Sequence, residues 1–230
     1  MSVVLPGEVV QTQHKSLKLG PGLKQFVDSQ GRSSIIVTRA GTLEQNPKGN
    51  KFWVEGNSRR YVPVAQEPVI GIVTARQGES WRVDIGSAHQ ASLDGLAFEG
   101  ASRRNRPNLK VNQLVYARVS LAHKDMEPEL ECFDAQTRKA EGFGELKGGF
   151  LVRCSLKMCL NLLDPNHFLL PLLGSRFALN TAIGTNGRVW ISAKDVKQTI
   201  AVARCIEAAD PDGGGMDQNA IKKFISTLDL

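Results

Sequence analysis

The chain has 230 residues, of which 41% are hydrophobic and 23% charged; this balance is too apolar for a disordered protein and fits two or three small globular domains. The longest apolar run, Phe168–Leu173, is interrupted by Pro171 and is far too short to cross a bilayer, so no membrane partner is expected. The net charge of +6 is a mild bias, and its distribution along the chain matters more than its size.

The basic surplus lies at the two ends of the chain. Residues 1–64 contain nine Lys or Arg against four Asp or Glu, and residues 146–230 contain ten against seven. Residues 65–145 contain ten against twelve, but their cations are concentrated locally. Clustering of this kind favours a polyanion or an acidic protein surface as the partner.

The N-terminus and the cysteines predict an intracellular protein without a cofactor. Met1–Gly7 lacks the basic flank and the apolar stretch of a signal peptide. The four cysteines form no C-x-x-C pair, which disfavours a zinc ribbon, and buried free thiols are the expected state. These residues are Cys132, Cys154, Cys159 and Cys205.

Residues 1–64 alternate short β-type runs with turn residues, so we predict a small N-terminal β domain there. The predicted strands are Val3–Leu5, Ser34–Thr38, Lys51–Glu55 and Tyr61–Val64. A β-hairpin is predicted in which Lys51–Glu55 pairs with Arg59–Val62 across the turn Gly56-Asn57-Ser58. Strands this short bury little core, so the domain is expected to pack on neighbours.

Residues 65–145 carry the pattern of a five-stranded OB-fold barrel. The first two runs are separated by a turn at Gln77-Gly78-Glu79, which is a strong hairpin signal. An irregular stretch, Gly100–Leu109, separates the third run from the fourth. The five predicted strands are Val69–Ala75, Trp81–Gly86, Gln90–Leu93, Val111–His123 and Glu129–Phe133. A generic antiparallel sheet is the alternative on strand counting alone.

The last third, residues 146–230, has an α+β pattern and follows a glycine-rich joint at Gly142–Gly149. Strands are predicted at Phe150–Cys154, Phe177–Ile183 and Arg188–Ile191, and helices at Ser155–Leu163, Asp195–Ala209 and Asp217–Leu228. Asp164-Pro165 and Asp210-Pro211 are expected to end the first two helices. The fold class is therefore a multi-domain combination of β and α+β domains.

Catalytic patterns are not evident, and we predict a protein that is not an enzyme. The four histidines, His14, His89, His123 and His167, do not occur in H-x-x-x-H, H-E-x-x-H or H-x-E form. No G-x-S-x-G elbow, Walker loop or Rossmann fingerprint occurs. The acidic residues Asp125, Glu127, Glu129 and Glu131 alternate along a predicted strand, as a solvated face does.

A basic loop is the best candidate for function. Ala101–Lys110 places four cations in a segment without apolar periodicity, and exposed arginines contact phosphates and stack on unpaired bases. The neighbouring strands add further cations and an aromatic residue, as OB-fold RNA sites do. The predicted RNA contacts are Arg76, Trp81, Arg82, Arg103, Arg104, Arg106, Lys110, Arg118 and Lys124. A place in the barrel core is the alternative for Trp81, and docking on an acidic protein surface is the alternative for the loop.

Gly184-Thr185-Asn186-Gly187 matches the G-x-x-G loop with which KH domains clamp a nucleic-acid backbone. That loop normally joins two helices, whereas the sequence of Arg188–Ile191 predicts a strand. Asn186-Gly187 is also a favoured hairpin turn. A structural turn with Trp190 as a packing anchor is therefore favoured over an RNA clamp.

Several motifs, taken in order, resemble those of the cap subunits of the eukaryotic RNA exosome, and among these the family of ribosomal-RNA-processing protein forty. They are Leu5-Pro6-Gly7-Glu8, Val69–Val73, Phe98–Ala101, Arg103–Pro107, Lys124–Glu129 and Gly184–Ile191. The resemblance covers nearly the whole chain.

The resemblance implies an N-terminal β domain at 1–64, an S-one-type OB domain at 65–145 and a KH-type domain at 146–230. It also implies a non-catalytic subunit on a ring of RNase-PH-like subunits, beside other cap subunits, that guides single-stranded RNA into the channel with little sequence preference. Leu5, Pro6 and Gly7 would face the ring, and Gly184, Asn186 and Gly187 would be buried against the neighbouring domain. The implied locations are the nucleus, the nucleolus and the cytoplasm. A freestanding ribosome- or translation-associated RNA-binding protein is the alternative.

Overall fold

The computed structural model describes residues 2–10, 18–28, 31–46, 50–123 and 125–227. The chain divides into two compact units, Met1–Ser58 and Arg59–Leu230. None of the helices in the described ranges has the length and apolar character needed to span a membrane.

The N-terminal unit consists of two small sheets around a valine core. Its strands are β1 (Ser2–Val4), β2 (Val9–Val10), β3 (Lys18–Leu19), β4 (Leu23–Val27), β5 (Ser33–Val37), β6 (Gly41–Gln45) and β7 (Lys51–Glu55). One sheet has the order β1-β6-β7-β3 and the other β2-β5-β4. Val4, Val37 and Val54 are the buried centre.

Leu5-Pro6-Gly7-Glu8 forms the turn that carries the chain from β1 to β2. Gly7 has a φ of +94°, a backbone conformation that is unfavourable for residues with a Cβ atom. Its N–H donates to the Val37 carbonyl at 2.8 Å, and the Val37 N–H donates to the Glu8 carbonyl at 2.9 Å. Leu5 remains exposed at the surface of this turn.

The predicted hairpin between Lys51–Glu55 and Arg59–Val62 is wrong, and so is the predicted strand Tyr61–Val64. β7 pairs instead with β6, with Leu43 opposite Val54, and residues 61–64 form no strand. Tyr61 is buried in the barrel core of the second unit, where its hydroxyl donates to Glu67 at 2.9 Å. Gly41 begins β6, and only glycine fits there because β7 passes so close that a Cβ would lie 2.2 Å from the Glu55 carbonyl oxygen.

The first part of the second unit is a closed five-stranded barrel, as predicted. Its strands are β8 (Pro68–Gln77), β9 (Ser80–Asp84), β10 (Ala91–Phe98), β11 (Leu114–Leu121) and β12 (Glu129–Cys132). Strand β12 pairs with both β10 and β11, which closes the barrel. A further strand, β13 (Gly144–Leu146), pairs with β11 in the segment that was interpreted as a glycine-rich joint.

Alternation of side chains along the strands fills the barrel. Val69 and Val73 of β8, Trp81 and Val83 of β9 and Leu93 of β10 are all at most 2% exposed. Because successive strand residues point to opposite faces, the intervening polar residues face outward. The outer face of β9 therefore presents Arg82.

The rest of the unit is the predicted α+β domain. It contains β14 (Phe150–Arg153), α1 (Leu156–Leu163), α2 (Leu169–Gly174), β15 (Leu179–Gly184), β16 (Arg188–Ala193), α3 (Val196–Ala209) and α4 (Gln218–Thr227). The sheet is antiparallel with the order β14-β16-β15. Ser155 caps α1 by accepting from the Met158 N–H at 3.0 Å.

Candidate nucleic-acid interface

The basic loop lies between β10 and β11 and presents two arginines to solvent. Ser102 and Asn105 form a tight turn, in which the Ser102 N–H donates to the Asn105 carbonyl at 2.9 Å and the reverse bond measures 3.1 Å. Arg103 and Arg104 occupy the two positions inside this turn, and both side chains are exposed. Within the described ranges neither arginine forms an ion pair. A hydrogen-bonded turn that exposes two guanidinium groups is suited to bidentate phosphate contacts.

Arg106 belongs to the same loop but holds it in place. Its guanidinium contacts the Glu79 carboxylate at 2.9 Å, and its side chain is only 20% exposed. The stem passes close to Gly95, where a Cβ would lie 3.3 Å from its Cδ. Arg106 thereby attaches the loop to the β8–β9 turn, so part of its charge is already neutralised.

The remaining predicted cations differ in how freely they face solvent. Arg82 forms a partly exposed ion pair with Glu127 at 2.9 Å and also donates to Gln77 at 3.0 Å. Arg76 is exposed and donates to the Gly78 carbonyl at 3.3 Å. Lys110 is exposed at the end of the loop. The prediction for Lys124 lies outside the described residues.

The predicted RNA contacts at Trp81 and Arg118 are wrong. Trp81 is 2% exposed, its indole N–H donates to the Leu109 carbonyl at 3.1 Å, and its ring meets Phe98 edge-on. It belongs to the barrel core, which was its alternative. Arg118 is 5% exposed and is held by Glu131 at 2.6 Å and by Gln66. Neither group is accessible to a base or a phosphate.

The Gly184–Gly187 turn is buried between the two domains of the second unit. The Asn186 amide accepts from the Ile70 N–H at 3.2 Å and donates to the carbonyls of Ile70 and Ile85, each at 2.9 Å. Asn186 is 6% exposed. Gly184 is required because a Cβ there would lie 2.7 Å from the Ile70 nitrogen. This geometry agrees with the structural role favoured from the sequence and leaves no room for RNA.

Arg188 extends the same contact. Its guanidinium donates to the Asp84 carbonyl and to the Asp84 carboxylate, each at 2.6 Å, and to the Ile70 carbonyl at 3.2 Å. Burial alone raises the pKa of Asp84, but the Gly86 N–H and Arg188 outweigh it, so the net pKa lies below its ordinary value. The sequence analysis did not predict this ion pair. The position of Arg188 directly after Gly187 was a signal that its side chain could contact whatever the turn packs against.

We expect the Asp84–Arg188 pair to make stability depend on acidity. The folded-state pKa of Asp84 is lowered, so its stabilisation is present above the unfolded pKa of about 3.9 and is lost as the pH falls through the folded value. The free energies of unfolding of wild type and Asp84→Asn should therefore differ near neutral pH and converge in acid. Urea unfolding across this pH range measures the difference, with the exposed Glu129→Gln as control. Equal stabilities at neutral pH would contradict the assignment.

Trp190 packs at the edge of this contact. It is 9% exposed, and its indole N–H donates to the Gly148 carbonyl at 2.9 Å. Gly149 has a φ of +67°, and a Cβ there would lie 2.7 Å from the indole nitrogen. The glycine pair thus lets the chain pass against the tryptophan ring.

The position at which a KH domain carries its clamp is the connection between α1 and α2. Here that connection is Asp164-Pro165-Asn166-His167. The Asp164 carboxylate accepts from the Asn166 N–H at 2.9 Å, and a carboxylate at this point opposes a phosphate. The connection between α1 and α2 therefore has no G-x-x-G sequence.

The acidic side chains near β12 do not converge on a single point. Glu131 contacts Arg118, Glu127 contacts Arg82, and Asp125 lies 3.9 Å from the His123 ring nitrogen. Over the described part of the chain, no group of three or more His, Cys, Asp or Glu side chains is placed to hold a metal ion.

Three family models match the chain in an order that follows its domains. "Exosome complex exonuclease Rrp40 N-terminal domain" matches residues 17–60, "Exosome complex component RRP40, S1 domain" matches residues 61–144, and "KH domain" matches residues 149–197. The S1 match coincides with the barrel that carries the basic loop.

Similar relatives come from fungi and animals. Exosome complex component rrp40 of Schizosaccharomyces pombe is 46% identical over 90% of this chain and 87% of its own length. Exosome complex component RRP40 of Homo sapiens is 39% identical over 83% of this chain and 70% of its own length. Exosome complex component RRP40 of Saccharomyces cerevisiae is 35% identical over 83% of this chain and 80% of its own length. Since both the domain matches and the relatives agree with the motifs in the sequence, the chain belongs to the RRP40 family of exosome complex components.

Proposed function

We propose that the chain is a non-catalytic RNA-binding cap subunit of the exosome, which guides single-stranded RNA towards the channel. The observation that carries this proposal is the Ser102–Asn105 turn, which holds Arg103 and Arg104 exposed on an S1-type barrel. Two guanidinium groups on a fixed turn bind phosphates without reading the bases. Little sequence preference is therefore expected.

The two RNA-binding folds divide their work unequally in this proposal. The barrel presents the exposed cations Arg76, Arg103, Arg104 and Lys110. The KH-type domain has Asp164-Pro165 at the clamp position, and it uses its glycine turn to attach to the barrel. The KH-type domain is thus the support, and the barrel is the RNA-contacting surface.

Docking on the exosome ring is assigned to the N-terminal unit. Leu5 is exposed beside the Gly7 turn, which the hydrogen bonds with Val37 keep in one shape. An exposed leucine on a fixed turn is suited to a protein contact. RNase-PH-like ring subunits and other cap subunits are the partners proposed here, in the nucleus, the nucleolus and the cytoplasm.

Degradation of the RNA is assigned to other subunits. The family models match S1 and KH domains in this chain, and both are RNA-binding domains rather than catalytic ones. The carboxylates of β12 and its preceding loop support this proposal, since Glu127 and Glu131 are each held by an arginine.

The proposal predicts that a tagged chain co-purifies with ring subunits as one large complex. The tagged protein is isolated from cells at moderate salt, and its partners are identified by mass spectrometry. Leu5→Asp should reduce the yield of ring subunits, whereas Val27→Asp, an exposed apolar residue elsewhere in the same unit, should leave the yield unchanged. Sedimentation with ribosomes and without ring subunits would contradict the proposal and favour a translation-associated RNA-binding protein.

A further inference from the structure

Two cysteines of the KH-type domain lie in direct contact. Cys154 follows β14 and Cys159 belongs to α1, and their sulfur atoms are 3.4 Å apart. Both are free thiols, and Cys154 is partly exposed whereas Cys159 is fully buried. We propose that Cys154 and Cys159 form an oxidisable thiol pair, a modification site whose oxidant is a small-molecule disulfide.

The geometry suits disulfide formation within the chain. A disulfide requires an S–S distance of about 2.05 Å, so the two sulfurs need to approach by little more than an ångström. Rotation of the partly exposed Cys154 side chain supplies part of this movement, and a small shift of the Cys154 backbone towards α1 supplies the rest. Cys132 lies in the barrel core and Cys205 in the centre of α3, and neither is paired with another cysteine within the described residues.

The surroundings assign different parts to the two sulfurs. Cys154 meets an external disulfide first because it is the more exposed of the two. A hydrogen bond from Cys154 lowers the pKa of Cys159, burial and the Asp210 carboxylate oppose this, and the backbone N–H groups of Gly187 and Arg188 lower the pKa further. The same hydrogen bond, together with burial, raises the pKa of Cys154, so the first exchange is the slower of the two. Cys159 is therefore suited to be the second nucleophile, because the thiolate is the attacking species.

The reaction proceeds by two thiol–disulfide exchanges. The Cys154 sulfur loses its proton and bonds to one sulfur of the small disulfide, and the other sulfur leaves as a thiolate that takes up that proton. Cys159 then attacks the Cys154 sulfur, and the second small thiolate leaves and takes up the Cys159 proton. Two protein thiols are oxidised to one disulfide, and one small disulfide is reduced to two thiols.

The thiol pair touches the turn that joins the KH-type domain to the barrel. The Cys154 N–H donates to the Gly187 carbonyl at 3.0 Å, and a Cβ on Gly187 would lie 2.9 Å from the Cys154 carbonyl oxygen. A shift of Cys154 towards α1 therefore strains the Gly187 contact. Oxidation should loosen the turn at the barrel and increase amide hydrogen exchange there.

Thiol counting tests the pairing. The reduced full-length chain is equilibrated with glutathione disulfide, unfolded, alkylated and mapped by mass spectrometry. We expect wild type to lose two of its four alkylatable thiols, with one peptide joining Cys154 to Cys159. Cys154→Ser should lose none, and the control Cys205→Ala should still lose two. Four alkylatable thiols in wild type, or a lasting glutathione adduct on Cys154, would overturn the proposal.

Hydrogen exchange tests the effect on the domain junction. Peptides that cover 68–72 and 184–190 should exchange faster in the oxidised wild type than in the reduced protein. Peptides from β4 and β5 provide the internal control. If the disulfide forms and exchange at the junction is unchanged, the link from the thiol pair to the turn is refuted.

Discussion

Asn186→Ala should destabilise the second unit by about 3 kcal/mol or more. The substitution leaves the Ile70 N–H and the Ile85 carbonyl without the Asn186 partner they have now, and the Ile70 carbonyl keeps its hydrogen bond from Arg188 but loses the one from Asn186. Each buried polar group left unsatisfied costs about 1–3 kcal/mol. For a unit of this size the melting temperature should fall by roughly 6–12 °C. Thermal and urea unfolding of the full chain measure the change.

A second substitution reaches the same junction by another route. Gly184→Ala would bring a Cβ to 2.3 Å from the Asn186 side-chain oxygen and 2.7 Å from the Ile70 nitrogen, so it should also lower the melting temperature. Asn180→Ala is the matched control, because Asn180 is exposed on the same strand, β15. If Asn186→Ala unfolds at the same temperature as Asn180→Ala, the turn does not hold the domains together.

The barrel was predictable because its strands obey a local rule. Val83 and Leu93 alternate with polar residues, as in a strand with one buried face, whereas Val69 and Val73 belong to a short β-branched run that is typical of a buried strand. The turn at Gly78 supplied the first hairpin. No equivalent signal identified β13, since Gly144–Leu146 forms a strand only because β11 offers it a partner.

The interface was less predictable because the identity of an arginine or a tryptophan does not show whether its side chain is buried. Arg118 lies on β11 at a position that the sequence alone would place on either side of the sheet. Its burial depends on Glu131, which lies opposite it on β12, and on Gln66, which is 52 positions away. The exposure of Arg103 and Arg104 was predictable because they lie in a polar segment without apolar periodicity, and their contact with RNA stays a prediction.

The glycine turn matches the sequence of a KH clamp but does not have the clamp's structural context. Gly184, Asn186 and Gly187 match the G-x-x-G pattern, yet they join two strands, β15 and β16, and contact the barrel. The strand-like residues after Gly187 predicted the hairpin. The partner of the turn could not be predicted, because Ile70 and Asp84 are more than a hundred positions away.

Replacing both Arg103 and Arg104 with alanine should weaken RNA binding and reduce its dependence on salt. Each guanidinium that neutralises one phosphate of a single strand contributes about −0.7 to the slope of log K against log salt concentration, so the slope should become shallower by about 1.4. A charge-assisted hydrogen bond is worth about 1.5–3 kcal/mol, so the Kd should rise at least about tenfold. Fluorescence anisotropy with single-stranded RNA at several salt concentrations measures both quantities.

Two controls separate RNA contact from docking on protein. Lys222 and Lys223 are adjacent exposed cations on α4, and their double alanine variant removes the same charge and should leave the Kd and the slope nearly unchanged. Charge reversal of Arg103 and Arg104 in the purified complex should reduce RNA crosslinking while ring subunits still co-purify. If the ring subunits are lost and crosslinking in the residual complex is unchanged, the loop binds a neighbouring subunit. The exposed turn would then be a protein interface, and the RNA path would have to lie over Arg76 and Arg82.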